Sequence, residues 1–122
     1  GRLAVHGTVN DLAVGGATPL WISAAFILEE GLPIVDLERI VASMRAACAE
    51  SGVTLVTGDT KVVDRGKGDQ IFITTTGIGL VPAGRSLSIR AARPRDRILV
   101  SGSIGDHGTP IMSVRKSNSR PC

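Results

Sequence analysis

Apolar residues first recur with a helical period. Val5, Val9, Leu12 and Ala13 fall at i, i+4, i+7 and i+8, which places them on one face of a helix over residues 2–15. Gly15-Gly16 stops this helix and Pro19 bars its continuation. From Leu20 the period becomes two: Leu20, Ile22, Ala24, Phe26 and Leu28 alternate with Trp21, Ser23, Ala25 and Ile27. Both sets are largely apolar, so this first strand is expected to be covered on both faces. Glu29-Glu30-Gly31 ends it, a charged strand end whose paired carboxylates could also bind a cation. A second helix opens at Pro33 or Asp36 and runs to Gly52, with Leu37, Ile40, Val41, Met44 and Cys48 on one stripe and Glu38, Arg39 and Arg45 off it. Val53 to Thr57 is the second strand. Strand, helix, strand in that order predicts a parallel pair, a longer antiparallel arrangement being the alternative.

A loop is expected from Gly58 to Asp69, polar and glycine-rich at Asp64-Arg65-Gly66-Lys67-Gly68-Asp69. Gln70 to Val81 reads as a third strand. Gly77 and Gly79 mark a bulge or a close approach of another backbone. Pro82 to Asp96 is an arginine-rich connector, and Arg97 to Ser101 a fourth strand. A second glycine-rich turn, Gly102 to Gly108, leads into the first turns of a helix from Thr109 to Val114.

Composition narrows the class. A chain of 122 residues, 43% hydrophobic and 20% charged, has room for one globular domain with a core but not for two. Trp21, Phe26 and Phe72 are the only aromatics, so Val, Ile, Leu and Ala must fill the core. The net charge of +3 owes much to Arg85, Arg90, Arg93, Arg95 and Arg97, with Arg115, Lys116 and Arg120 beyond. No aromatic residue is interleaved with them for base stacking, so they read as a solvated connector and not as a nucleic-acid surface. Cys48 and Cys122 make neither a disulfide framework nor zinc spacing. Cys48, on the apolar stripe, is expected to be a small core residue. No apolar run approaches membrane-spanning length and the N-terminus lacks a signal peptide's charged and apolar regions, so the chain is expected to be reduced, soluble and cytoplasmic, with no membrane partner. Gly1 is not methionine, and the chain is expected to begin inside a gene product.

Two stretches carry candidate chemistry. Ser101-Gly102-Ser103-Ile104-Gly105-Asp106-His107-Gly108 has the form of a glycine-rich turn whose backbone N–H groups can face an anion at a helix start. It is neither a Walker loop nor Gly-x-Gly-x-x-Gly, and a plain tight turn explains it as well. Gly58-Asp59-Thr60-Lys61 follows a short β-branched run. A carboxylate there can share a magnesium ion with phosphate oxygens and a lysine can neutralise phosphoryl charge; spacing alone leaves a capping Asp and a surface Lys equally open. Asn10 and Asp11, side by side on the last turn of the first helix, read by themselves as a solvated face.

Four motifs in order resemble a known family: Gly7-Thr8-Val9-Asn10-Asp11-Leu12-Ala13, Phe26-Ile27-Leu28-Glu29-Glu30-Gly31, Val56-Thr57-Gly58-Asp59-Thr60-Lys61-Val62-Val63, and Ser101 to Gly108. They resemble the HypE hydrogenase maturation factors of the PurM-like (aminoimidazole ribonucleotide synthetase-related) superfamily, from Gly1 to about Arg115. Asn-Asp-Leu is common to the superfamily, whereas Gly-Asp-Thr-Lys-Val-Val with Gly-Asp-His-Gly is specific to this branch. It argues against the selenide or thiamin-phosphate kinase branches, which are the alternative, as is a non-catalytic dimerisation module.

The resemblance implies an α/β sandwich with a mixed four-stranded sheet: a PurM-like N-terminal domain over residues 1–92, incomplete at its start, and the first strand and turn of the second domain over 93–115. Residues 116–122 are expected to be a frameshift or cloning remnant; Arg120-Pro121-Cys122 lies too early to be the family's cysteine tail. It also implies an enzyme that uses ATP and magnesium to dehydrate a protein-bound S-carboxamide to a thiocyanate. The cyanide serves [NiFe]-hydrogenase, with a carbamoyl transferase and an iron-carrying scaffold as partners. Asp11 and Asp59 would then hold magnesium, and Lys61 and Asp59 would act in catalysis with His107 as a proton carrier. Asn10, Asp11, Gly58, Asp59, Thr60, Lys61, Gly105 and Asp106 would bind the nucleotide. Relatives dimerise through their sheets, so the resemblance implies a homodimer whose exposed strand faces are too hydrophobic for a monomer. This fragment alone is expected to be inactive.

Overall fold

The structure, a computed structural model, describes residues 1–106, 108, 109, 112 and 113. His107 and residues 114–122, with Cys122, lie outside the described residues. The chain forms two compact units, Gly1–Ala91 and Ala92–Cys122. The first has the order α1 (Arg2–Val14), β1 (Thr18–Glu29), α2 (Ile34–Ser51), β2 (Thr54–Val63), β3 (Ile71–Leu80), and a 3₁₀ turn at Ile89–Ala91.

Both helices stop where glycine takes the left-handed conformation. Gly16 (φ +83°) follows α1, its N–H bonded to Ala13 O while Ala17 N–H reaches Leu12 O. Gly52 (φ +66°) ends α2, with Val53 N–H bonded to Cys48 O. These pairs satisfy carbonyls that the helix leaves open.

β1 is central. It pairs in parallel with β2, as the strand–helix–strand order predicts, and antiparallel with β3, giving the order β2-β1-β3. Both helices lie on one face of this sheet, and the core is the seam between them: Val5, Ile22, Ala24, Met44, Ala47, Cys48 and Val53, with Val9, Phe26, Ile40 and Ile73 packed against it. Cys48 is buried and free, the core residue its stripe predicts. Gly77 admits α1: a Cβ there would lie 2.7 Å from both Leu12 Cδ1 and Thr8 Cγ2. At Gly79 a Cβ would lie 2.7 Å from the carbonyl oxygen of Thr18, and the β1–β3 register shifts between Pro19 and Trp21, so Gly79 marks the close backbone approach and the bulge, whereas Gly77 makes room for side chains of α1.

Three expectations are corrected. The sheet has three strands among the described residues, not four: residues 97–101 form no strand, and Ile98 and Leu99 are exposed, with no neighbouring strand to satisfy their backbone. The segment after Thr57 is not a loop until Asp64. β2 runs on through Gly58-Asp59-Thr60-Lys61-Val62-Val63, paired with β1 as far as Glu29↔Val63, because Thr60, Val62 and Val63 favour the extended backbone. Finally, β1 is covered on one face only. Ile22 and Ala24 are buried under the helices, whereas Trp21 and Ile27 on the other face are 47% and 42% exposed.

Candidate functional site

Alternation along β2 divides the Gly-Asp-Thr-Lys motif between two faces. Thr57, Asp59 and Lys61 pair with Ser23, Ala25 and Ile27, and across β1 with Thr76, Thr74 and Phe72, all on the face without helices. Gly58 and Thr60 pair with Ala24 and Phe26 on the helix face. On the open face, Ser23, Ala25, Thr57, Asp59, Thr74 and Thr76 line a shallow hollow of about 290 Å³. Hydroxyls and one carboxylate form its middle, while exposed Trp21, Ile27, Phe72 and Ile78 flank it.

Asp59 Oδ1 accepts the N–H of Thr60 at 2.8 Å, and within the described residues the carboxylate makes no other hydrogen bond. Asp59 is an exposed residue. Lys61 is exposed and forms no ion pair among the described residues. Gly58 has a steric reason to be glycine: a Cβ would run into the carbonyl oxygen of Ala24 on the paired strand.

Asn10 and Asp11 lie on the exposed side of the last full turn of α1, in the helical layer behind the sheet. Asp11 and Asp59 are thus on opposite sides of one sheet, and a single chain does not bring them together. Among the described residues no group of three His, Cys, Asp or Glu side chains is poised to hold a metal. Asp59 fits a magnesium site only in part: one hard oxygen is free, and the remaining ligands would come from phosphate, water or another carboxylate.

In the second unit, Gly105 (φ +93°) turns the chain, and its carbonyl accepts the N–H groups of Gly108 and Thr109 at 3.2 and 3.3 Å and the Thr109 hydroxyl at 3.2 Å. Gly108, Thr109, Met112 and Ser113 are helical. The turn-then-helix form expected from the glycines is therefore present, with Asp106 in the turn.

A more voluminous cavity, about 500 Å³, is elsewhere. It opens between α2 and β2 on the helix face, lined by Phe26, Val41, Met44, Cys48, Val53 and Leu55, with Arg45 its one charged residue. It offers no cluster of groups for phosphate chemistry. Burial pushes the Cys48 thiol up, away from nucleophilic use.

Residues 1–81 match the model of the AIR synthase related protein family, N-terminal domain. The chain belongs to this family. Over 116 residues it is 65% identical to carbamoyl dehydratase HypE of Azotobacter vinelandii, covering 95% of this chain and 34% of that protein. It superimposes on a crystal structure of hydrogenase maturation protein HypE in complex with ATP with a TM-score of 0.92 at 57% identity, covering 95% of this chain and 35% of that one. It superimposes also on HypE in a HypE–HypF complex, with a TM-score of 0.93 at 52% identity, over 99% of this chain and 40% of that one. The chain thus spans about a third of the length of the curated relatives it matches. No helix among the described residues is long and apolar enough to cross a membrane.

Sequence reasoning missed the role of Glu29, whose carboxylate accepts N–H groups from Gly66 and Gln70. Nothing in a Glu-Glu-Gly strand end announces a partner about forty positions downstream. It also missed the face on which Asp59 lies, although Thr60, Val62 and Val63 carry the signal for a longer strand.

Proposed function

We propose that this chain is the nucleotide-handling part of an ATP-dependent carbamoyl dehydratase acting in hydrogenase maturation. What carries the reading is Gly58-Asp59-Thr60-Lys61, with its acid and amine on an uncovered sheet face, in a chain 65% identical to carbamoyl dehydratase HypE. The likeness to a HypE structure solved with ATP supports the nucleotide, and the HypE–HypF complex supports a partner among the maturation proteins. A carbamoyl transferase and an iron-carrying scaffold are the partners this reading requires.

The reaction is a dehydration of an S-carboxamide. The amide oxygen bonds to the terminal phosphorus of ATP as the bond to ADP breaks, which turns a poor leaving group into phosphate. Loss of both N–H protons and of that phosphate leaves the thiocyanate. Lys61 places a positive charge beside the transferred phosphoryl group, and the carboxylates of Asp59 and Asp11 would hold magnesium, which would supply neutralisation of the charge that develops on the phosphoryl group. Asn10, Gly58, Thr60, Gly105 and Asp106 contact the nucleotide, and His107 carries a proton. The second unit is the start of the second domain of such an enzyme.

The protein works as a homodimer in this reading. Asp11 and Asp59 flank opposite sides of one chain's sheet, so one phosphate chain can meet both types of group only if a second copy supplies one of them. The exposed Trp21, Ile27, Phe72 and Ile78 around Asp59 give that second copy an apolar surface to cover. Sedimentation equilibrium would detect the dimer. In a protein extended to the length of the relatives, Lys61→Ala should lower ATP hydrolysis by roughly 10²–10³-fold, the usual effect of removing one transition-state charge donor. Hydrolysis at the unaltered rate would remove Lys61 from the mechanism.

A further inference from the structure

The strand order β2-β1-β3 sets a problem for residues 64–70. β2 and β3 flank β1, so the connection between them has to pass the end of β1. Its backbone N–H groups meet no strand there and need acceptors. Glu29, the last residue of β1, supplies them. One carboxylate oxygen accepts the N–H of Gly66, and the other accepts the N–H of Gln70 at 2.9 Å. The main chain of β1 completes the attachment: Glu29 N–H donates to Gln70 O at 2.8 Å and Glu30 N–H to Val63 O at 2.9 Å.

We propose that Glu29 is a positioning residue: its carboxylate clamps the strap from β2 to β3 across the end of β1, and thereby fixes the end of β2 that carries Lys61. The clamp holds a conformation that one residue would not choose freely. Gln70 has φ +65°, and a non-glycine residue in that region persists only where its surroundings hold it. The two N–H donors each meet a separate oxygen. A carboxylate has two, but the isosteric amide of glutamine has one and would turn its own N–H₂ towards the second donor.

The charged groups lining the surrounding hollow are Glu30 beside Glu29, Asp36 from α2 and Arg65 from the strap. The Gln70 and Gly66 N–H groups, with a smaller contribution from Arg65, hold the Glu29 carboxyl below the usual range. Such a clamp is closed at neutral pH and opens only as pH falls through that lowered value. Arg65 also lies against the backbone of Gly31, where a Cβ would come within 2.8 Å of its Nη2.

The clamp itself stands on the hydrogen bonds, while its consequence for Lys61 rests on the nucleotide reading. Amide hydrogen exchange on the 122-residue chain separates the two without any nucleotide. In Glu29→Gln, the Gly66 and Gln70 amides should exchange at least about tenfold faster, as expected for freed backbone donors. The Lys61 to Val63 amides should follow by several-fold, and those of Val5 and Met44 should be unchanged. Unaltered exchange at Gly66 and Gln70 would overturn the clamp. Faster exchange there with Lys61 to Val63 unmoved would overturn the positioning role. Should the variant not fold, an NMR titration of the unaltered chain decides. The Gly66 and Gln70 amide protons should shift with the Glu29 carboxyl carbon at one common midpoint, and separate midpoints would refute the clamp. If the chain passes these tests but a protein extended to the length of the relatives binds no ATP, the nucleotide reading falls and the clamp stays in place.

Discussion

Replacing Gly58 by alanine sets two known effects against each other. The φ of Gly58 is not in the left-handed region, so alanine can adopt the backbone. Removing glycine's freedom in the unfolded chain then stabilises by about 0.4–1 kcal/mol. Against this stands the carbonyl oxygen of Ala24, which occupies the space a Cβ would need. That oxygen belongs to the backbone of the paired strand, so no rotamer change relieves the contact, and β1 and β2 must part locally. Overpacking of this kind costs about 1–3 kcal/mol, so the steric effect should win by roughly 1–2 kcal/mol. For a unit of this size that corresponds to a melting-temperature drop on the order of 5–15 °C. Urea unfolding followed by circular dichroism measures it directly. Gly7→Ala is the opposite case, an interior helical glycine of α1 with nothing within 4 Å of its added Cβ, and should stabilise by about 0.5–1 kcal/mol. A Gly58→Ala variant as stable as the unaltered chain, measured beside a stabilised Gly7→Ala, would refute the steric account of Gly58.

Two further changes probe the core. Met44 is 2% exposed at the centre of the seam between the helices and the sheet, so Met44→Ala should cost about 2–5 kcal/mol; a loss under 1 kcal/mol, read by the same urea midpoint, would mean the seam collapses around the gap. Burial pushes the Cys48 thiol up, which lowers the thiolate fraction at neutral pH. Iodoacetamide labelling of Cys48, read by peptide mapping, should therefore be slower than that of a free thiol and should rise only above the ordinary thiol range, whereas labelling at the free-thiol rate would place the thiol in solvent.

Much of the fold is legible because it depends on local signals. The stripe Met44–Cys48, the stop at Gly52 and the alternation in β1 each follow from residues a few positions apart, and the structure keeps all three. What is not legible depends on partners distant in the chain. Glu29 looks like a strand end until Gly66 and Gln70 fold back to it. The open face of β1 reads as buried because its residues are apolar, and composition cannot say whether the cover comes from this chain or another. Asp59 and Lys61 were recognisable as candidate chemistry, but not the side of the sheet on which they stand.

That side is decided by one residue. Ile22 pairs with Leu55 and Ser23 with Thr57, so Val56 is an extra residue in β2 with no partner on β1. Such a bulge reverses the alternation beyond it. Were Val56 paired with Ser23 instead, Ala25 would face Gly58 and Phe26 would face Asp59, turning the carboxylate towards Phe26 and the helices and the open face towards Gly58 and Thr60. A one-residue slip moves a strand's whole pattern to the other face, and there an unpaired charge against an apolar layer costs several kcal/mol. The bulge avoids that cost by leaving Val56 without a partner. Deleting Val56 removes only the unpaired residue: Leu55 stays opposite Ile22 and Thr57 opposite Ser23, so Asp59 and Lys61 should remain on the open face. Val56 is 56% exposed, so Val56→Ala should cost under about 1 kcal/mol. Thermal unfolding of the two variants checks the account: both should unfold cooperatively, the substitution within a few degrees of the unaltered chain. A deletion variant that loses cooperative folding would mean that β2 needs the bend of the bulge itself. The placement of Asp59 and Lys61 on the open face would then not follow from pairing register alone.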